Sequence, residues 1–178
     1  IHINMFLHHF NKKENKDKII ANRIYKYIIL YVKNIIKNKE LNIKSDFNSS
    51  FELISIFMFI IFFGYKDKAG HKKINQFLMN IYIDDLDKSL REQGIGDMSI
   101  GKYVKTYVKK IYYRLNKLES IFLNNDFEAF NIYLSNINIH NKQDQITQLG
   151  DYLFQFINNL LNDAKKEELT DFKVKINS

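Results

Sequence analysis

Cysteine, proline and tryptophan are all missing from this 178-residue chain. Without cysteine there is no disulfide, no thiolate nucleophile and no Cys-ligated zinc or iron–sulfur centre. Ordinary usage would supply about 5% proline, so turns here must be made by Gly, Asn, Asp and Ser, and glycine itself numbers six. No uninterrupted apolar run approaches the ~18 residues of a membrane span. The longest, Leu53 to Tyr65 (LISIFMFIIFFGY), is 13 residues and lies well inside the chain, away from any signal-peptide position. A fully buried helix is the better reading. Repeats, Pro/Ser-rich linkers and composition shifts are also lacking, so 21.3 kDa of chain forms one domain, large enough to bury roughly 70% of its unfolded surface.

Three residue types dominate instead: Ile, Asn and Lys supply 27, 21 and 24 positions. All three have AT-rich codons, which discounts the net charge of +7 as a sign of function. The opening IHIN is not an initiator sequence, and Met5 is the natural start expected, followed by a lysine-rich tail over residues 1–16.

Helical spacing runs through nearly the whole sequence, with no two-residue alternation to compete. A first helix is predicted from about Asp17 to Asn38, with Ile20, Ile24, Tyr27, Tyr31 and Ile35 on one stripe. A second, apolar all round, runs from about Ser49 to Phe63 and belongs in the middle of a bundle. The third spans about His71 to Gln93 and ends at Gly94 as a left-handed C′ residue, with Ile95 folding back. Asp97 or Ser99 then caps a fourth, reaching about Leu123, whose buried face is Val104, Tyr107, Val108, Ile111, Leu115, Leu118 and Phe122. Asp126 caps a fifth helix, with Phe127, Phe130, Leu134 and Ile137 on one side. The last runs from about Gln143 to Asp163 and packs through Leu149, Tyr152, Leu153, Phe156, Ile157, Leu160 and Leu161. Residues 164–178 read as a loosely held polar tail. The expected architecture is an all-α, single helical-bundle domain of about six helices over 17–163.

The third helix carries an anomaly. Its stripe of Ile74, Phe77, Leu78 and Ile81 should continue through Asp85, Lys88 and Glu92, which are charged, while the apolar side swings to Tyr82, Leu86 and Leu90. Hydrophobic burial alone does not explain this. The DDLD run at Asp84 to Asp87 could hold magnesium against a diphosphate, but no second acidic cluster exists, and i,i+4 pairs of Asp84 with Lys88, Asp87 with Arg91 and Lys88 with Glu92 account for the charge. Gly94, Gly96 and Gly101 follow a helix rather than a strand, so they are no dinucleotide loop. The histidines (His2, His8, His9, His71, His140) have no ligand spacing, and nothing pairs a nucleophile with a base. No catalysis, metal, haem or quinone is expected.

On the fourth helix Lys102, Lys105, Lys109, Lys110, Arg114 and Lys117 occupy one half of the circumference, with Tyr103 and Tyr113 among them and no acid before Glu119. Such a face suits an RNA backbone, an anionic membrane or an acidic protein, or is simply solvated in a lysine-biased chain. A recognition helix this long would be unusual, so DNA binding is not expected.

The segment DDLDKSLREQGIGDMSIGK, Asp84 to Lys102, resembles the ubiquinol–cytochrome c chaperone family, the cytochrome b assembly factors of mitochondria and alphaproteobacteria. The family signature D-x-D-[RK]-x-L-R-E-x-G-x-G-D is matched by Asp85, Asp87, Lys88, Leu90, Arg91, Glu92, Gly94, Gly96 and Asp97, and its FY-x-R-like continuation by Tyr112, Tyr113 and Arg114. Weaker similarity extends over Asp17 to Asp163, including FELISIFMFIIFF. Two departures stand out: NIKSDF replaces a proline-containing stretch, and Phe57 stands where the family often has histidine. The resemblance implies an all-helical, non-enzymatic chaperone that binds newly made cytochrome b or a bc1 assembly intermediate, with a small partner protein and the ribosome as further partners. It makes Tyr82 with the motif residues a candidate client site, and gives Asp85, Lys88 and Glu92 either a register-fixing role or a place in a receiving groove. The short stretch after Met5 fits a bacterial cytoplasm with peripheral contact to the inner membrane, or the matrix side in a eukaryote. A basic nucleic-acid or ribosome-binding module is the alternative.

Overall fold

The computed structural model describes residues 3–141 and 146–172, with side chains from residue 16 onward. Among the described residues six helices and two short 3-10 turns (Lys39–Leu41 and Leu169–Asp171) make up the regular structure, and no strand occurs. The helices are α1 (Ile3–Lys37), α2 (Phe47–Gly64), α3 (His71–Glu92), α4 (Asp97–Leu123), α5 (Phe127–Ile137) and α6 (Ile146–Lys166). The first begins well before Asp17, because the lysine- and asparagine-rich start contains no helix breaker. For α6, the expected start at Gln143 lies outside the described residues.

α2 runs through the middle, packed by α1, α4 and α6, while α3 lies against α1 and α4, and α5 against α4 and α6. Every residue from Phe51 to Ile61 is buried. By length and composition α2 could cross a membrane, yet two-thirds of it is enclosed by the other helices. Its end comes so close to α6 that a Cβ on Gly64 would lie 2.9 Å from the Ala164 Cβ, so only glycine fits without displacing a helix.

With no proline, the turns rest on left-handed Asn42, Asn125 and Asn138 and on Gly70 and Gly94. The α2 and α5 starts are capped by Asp46 and Asp126, which accept from Ser49 N and Ala129 N. Lys44 N donates to Ile139 O at 2.8 Å, tying the α1–α2 connection to the chain after α5. From Lys165 to Phe172 the chain is packed rather than loose: Leu169 and Phe172 are buried, the latter edge-on to Tyr65, and Arg23 donates to the Thr170 carbonyl; the rest of the expected tail, 173–178, lies outside the described residues. Apolar anchors inside the polar stretch account for this.

Candidate functional site

The anomaly of α3 resolves into specific contacts. Gly94, at φ 88°, closes the helix as expected, with its N–H donating to Arg91 O at 2.9 Å and the Ile95 N–H to Leu90 O at 3.3 Å. Arg91 then bridges Asp87 (2.6 Å) and Asp97 across the turn, and these contacts hold its pKa above the ordinary value. Asp97 therefore serves the clasp and sits favourably in the first turn of α4; the N-cap is Gly96, with no side-chain cap, rather than Asp97 or Ser99. Asp85 accepts a 2.6 Å hydrogen bond from the Tyr25 hydroxyl of α1. Burial, then Asp85, pushes the Tyr25 pKa strongly upward. The charge that broke the apolar stripe thus locks α3 to α1. Lys88 and Glu92 stay at the surface, with no ion pair among the described residues.

Tyr82 is not at a surface. It is 2% exposed, and its hydroxyl lies 3.1 Å from the Phe51 carbonyl, which accepts from it, and 3.1 Å from Ser55 Oγ. Burial drives its pKa up. As placed, it belongs to the core and offers nothing to a partner.

Arg114 leaves the basic face as well. Its Nε and Nη2 donate to Glu52 Oε2 and Oε1, each at 2.8 Å. The Glu52 side chain is 3% exposed and that of Arg114 18%. The guanidinium lies 5.6 Å from the Tyr113 ring centroid and 5.9 Å from that of Tyr133, and its bonds to Glu52 raise its pKa. A carboxylate stranded on the central helix needs this partner, which is why the arginine turns inward. Glu52, Tyr25 and Tyr133 escaped the sequence reading. A signal existed: arginine occurs three times against 24 lysines, and each one makes a directed contact, Arg23 to Thr170, Arg91 to two aspartates and Arg114 to Glu52.

What remains of the basic face is Lys102, Lys105, Lys109, Lys110 and Lys117 with Tyr113, all exposed. Lys110 lies over the Tyr107 ring, 4.6 Å from its centroid. Of the expected buried face of α4, Ile111, Leu118 and Phe122 are buried, while Val104, Tyr107, Val108 and Leu115 are half-buried.

An open cleft of about 290 Å³ lies where α2 ends beside α3 and α4, lined by Phe62, His71, Lys72, Asn75, Gln76, Met79 and Tyr112. Asn75 Oδ1 is buried there without a hydrogen-bond partner among the described residues. His71 Nδ1 lies 2.7 Å from the Lys68 carbonyl, so that nitrogen carries a proton. No group of His, Asp or Glu among the described residues could hold a metal ion.

Comparison with known proteins bears on this geometry in three ways. The model of a family described as "Ubiquinol-cytochrome C chaperone" matches residues 39–171. The crystal structure of the Cbp3 homolog from Brucella abortus superposes with a TM-score of 0.76 at 22% identity, over 94% of this chain and 95% of that one, a likeness of fold. No curated protein matches.

Proposed function

Because this chain belongs to the ubiquinol–cytochrome c chaperone family, we propose that it is an assembly factor of the ubiquinol–cytochrome c reductase (bc1) complex and that it binds newly made cytochrome b. It acts by holding its client, without turnover. The observation that carries the client reading is the cleft between α2, α3 and α4. Phe62, Met79 and Tyr112 offer it apolar and aromatic surface, beside the amides of Asn75 and Gln76. The exposed Gln76 amide in the lining can both donate to and accept from a client's peptide groups. The motif residues Asp85, Asp87, Arg91, Gly94 and Asp97 support this cleft indirectly, because they fix α3 against α1 and α4.

Photocrosslinking in the native host tests the reading. A photoreactive residue replacing the exposed Tyr112 should capture cytochrome b or another bc1 subunit. The same probe at Tyr152, exposed on α6, should not. Capture at Tyr112 of proteins unrelated to the bc1 complex would remove the proposal.

A further inference from the structure

The solvent side of α4 combines two properties that its charge alone does not explain. From Met98 to Leu118 it contains no acidic residue, and Asp97 at its head is held by Arg91. Ile100, Ile111 and Leu118 face the core. Turning by 100° per residue, Met98, Lys102, Lys105, Lys109 and Tyr113 line up on the opposite side, all exposed. The stripe ends in apolar groups facing water: Met98 fully exposed at the start of the helix, Leu123 62% exposed at its end.

We propose that this face of α4 is a docking surface for a bilayer rich in anionic phospholipid. Arginine, the residue best suited to forked, bidentate phosphate contacts on a nucleic acid, has been withdrawn from the face by Glu52. Lysines remain, and a flexible point charge suits a diffuse layer of headgroups. Methionine and leucine projecting outward have no counterpart on an RNA backbone, whereas at a bilayer they enter the boundary between headgroups and acyl chains. Tyrosines sit naturally at headgroup depth. The helix is one unbroken element of 27 residues, about 40 Å long, so its stripe meets a plane along a line. This surface borders the client cleft at Tyr112, and its test, on vesicles alone, does not depend on any client.

The chain has no tryptophan, so one introduced residue reports its own environment. The full chain carrying Met98→Trp should show a blue shift and quenching by brominated lipid on vesicles containing about one-third phosphatidylglycerol, but not on pure phosphatidylcholine. Ile132→Trp, on the exposed side of α5, should show neither. Adding Lys102→Gln, Lys105→Gln and Lys109→Gln to the Met98→Trp chain should weaken partitioning by about 100-fold, at roughly fivefold per lysine. Circular dichroism confirms that the variant is folded. Three results overturn the proposal: no shift on anionic vesicles, undiminished binding by the folded triple variant, or a response to an RNA oligomer with none to vesicles.

Discussion

Arg114 lays the edge of its guanidinium against both carboxylate oxygens of Glu52, 2.8 Å at each contact, across the packing of α4 on α2. Only arginine presents two donors in that fixed fork. The partners are unequally buried, so their removal should be unequal. Arg114→Ala strands a carboxylate in the core and should cost about 3–5 kcal/mol. Glu52→Gln leaves a cation that can reach water and should cost less. Glu52→Leu together with Arg114→Met should recover most of the loss, because two apolar groups replace a desolvated pair. Urea unfolding of the four proteins measures each step.

Tyr25 and Asp85 form a second tie, between α1 and α3, at 2.6 Å. Tyr25→Phe and Asp85→Asn should each cost about 1.5–3 kcal/mol, as expected for a hydrogen bond to a charged acceptor. The double variant should lose much less than the sum, since the two act on one contact. A double-mutant cycle by thermal or denaturant unfolding reads the coupling directly.

Gly64 and Ala164 should behave as a matched pair. Gly64→Ala puts a methyl 2.9 Å from the Ala164 Cβ, and neither carbon can rotate away, so stability should fall by about 1–3 kcal/mol. Ala164→Gly in the same chain should restore part of it by reopening the space. If the double variant is no better than Gly64→Ala, the α2–α6 contact is not what limits residue 64.

Alkaline pH should unfold this protein through its tyrosines. Burial, then the neighbouring Tyr152, pushes Tyr31 up to about 12, and burial, then Glu167 and Asp163, does the same for Tyr65, from an ordinary value of 10.0. Tyr25, Tyr82 and Tyr133 are raised further, mainly by burial. The folded state holds these protons more tightly than the unfolded one. The contribution of Tyr31 and Tyr65 is therefore whole below pH 10 and is lost as pH rises through about 12, while that of the other three goes on falling above it. Comparing urea midpoints at about pH 8 and about pH 11, Tyr31→Phe and Tyr65→Phe should each shrink the alkaline loss.

Helix order, the buried central helix, the Gly94 stop and the Asp126 cap were all legible, because each depends on residues close together in sequence. The motif around Asp85 to Asp97 was legible as a pattern but not as a mechanism. Whether Arg91 served a partner or a turn depended on where Asp97 came to rest one helix later. Tyr82 lies on the apolar side by periodicity and at a candidate client site by the family resemblance, and it is a core residue because α1 and α2 close over it. Arg114 counted as one more cation on a basic helix, although its rarity among so many lysines pointed to a directed contact.

Local patterning settled that this chain folds as a helical bundle with α2 at its centre, since periodicity and turn chemistry act within a few residues. Pairings between helices lay beyond it: Glu52 with Arg114 is 62 residues apart and Tyr25 with Asp85 is 60. Such contacts depend on how helices rotate and slide as they pack, which no single helix encodes. Only the tertiary structure decided which charges lock the bundle and which lysines are left facing out from α4.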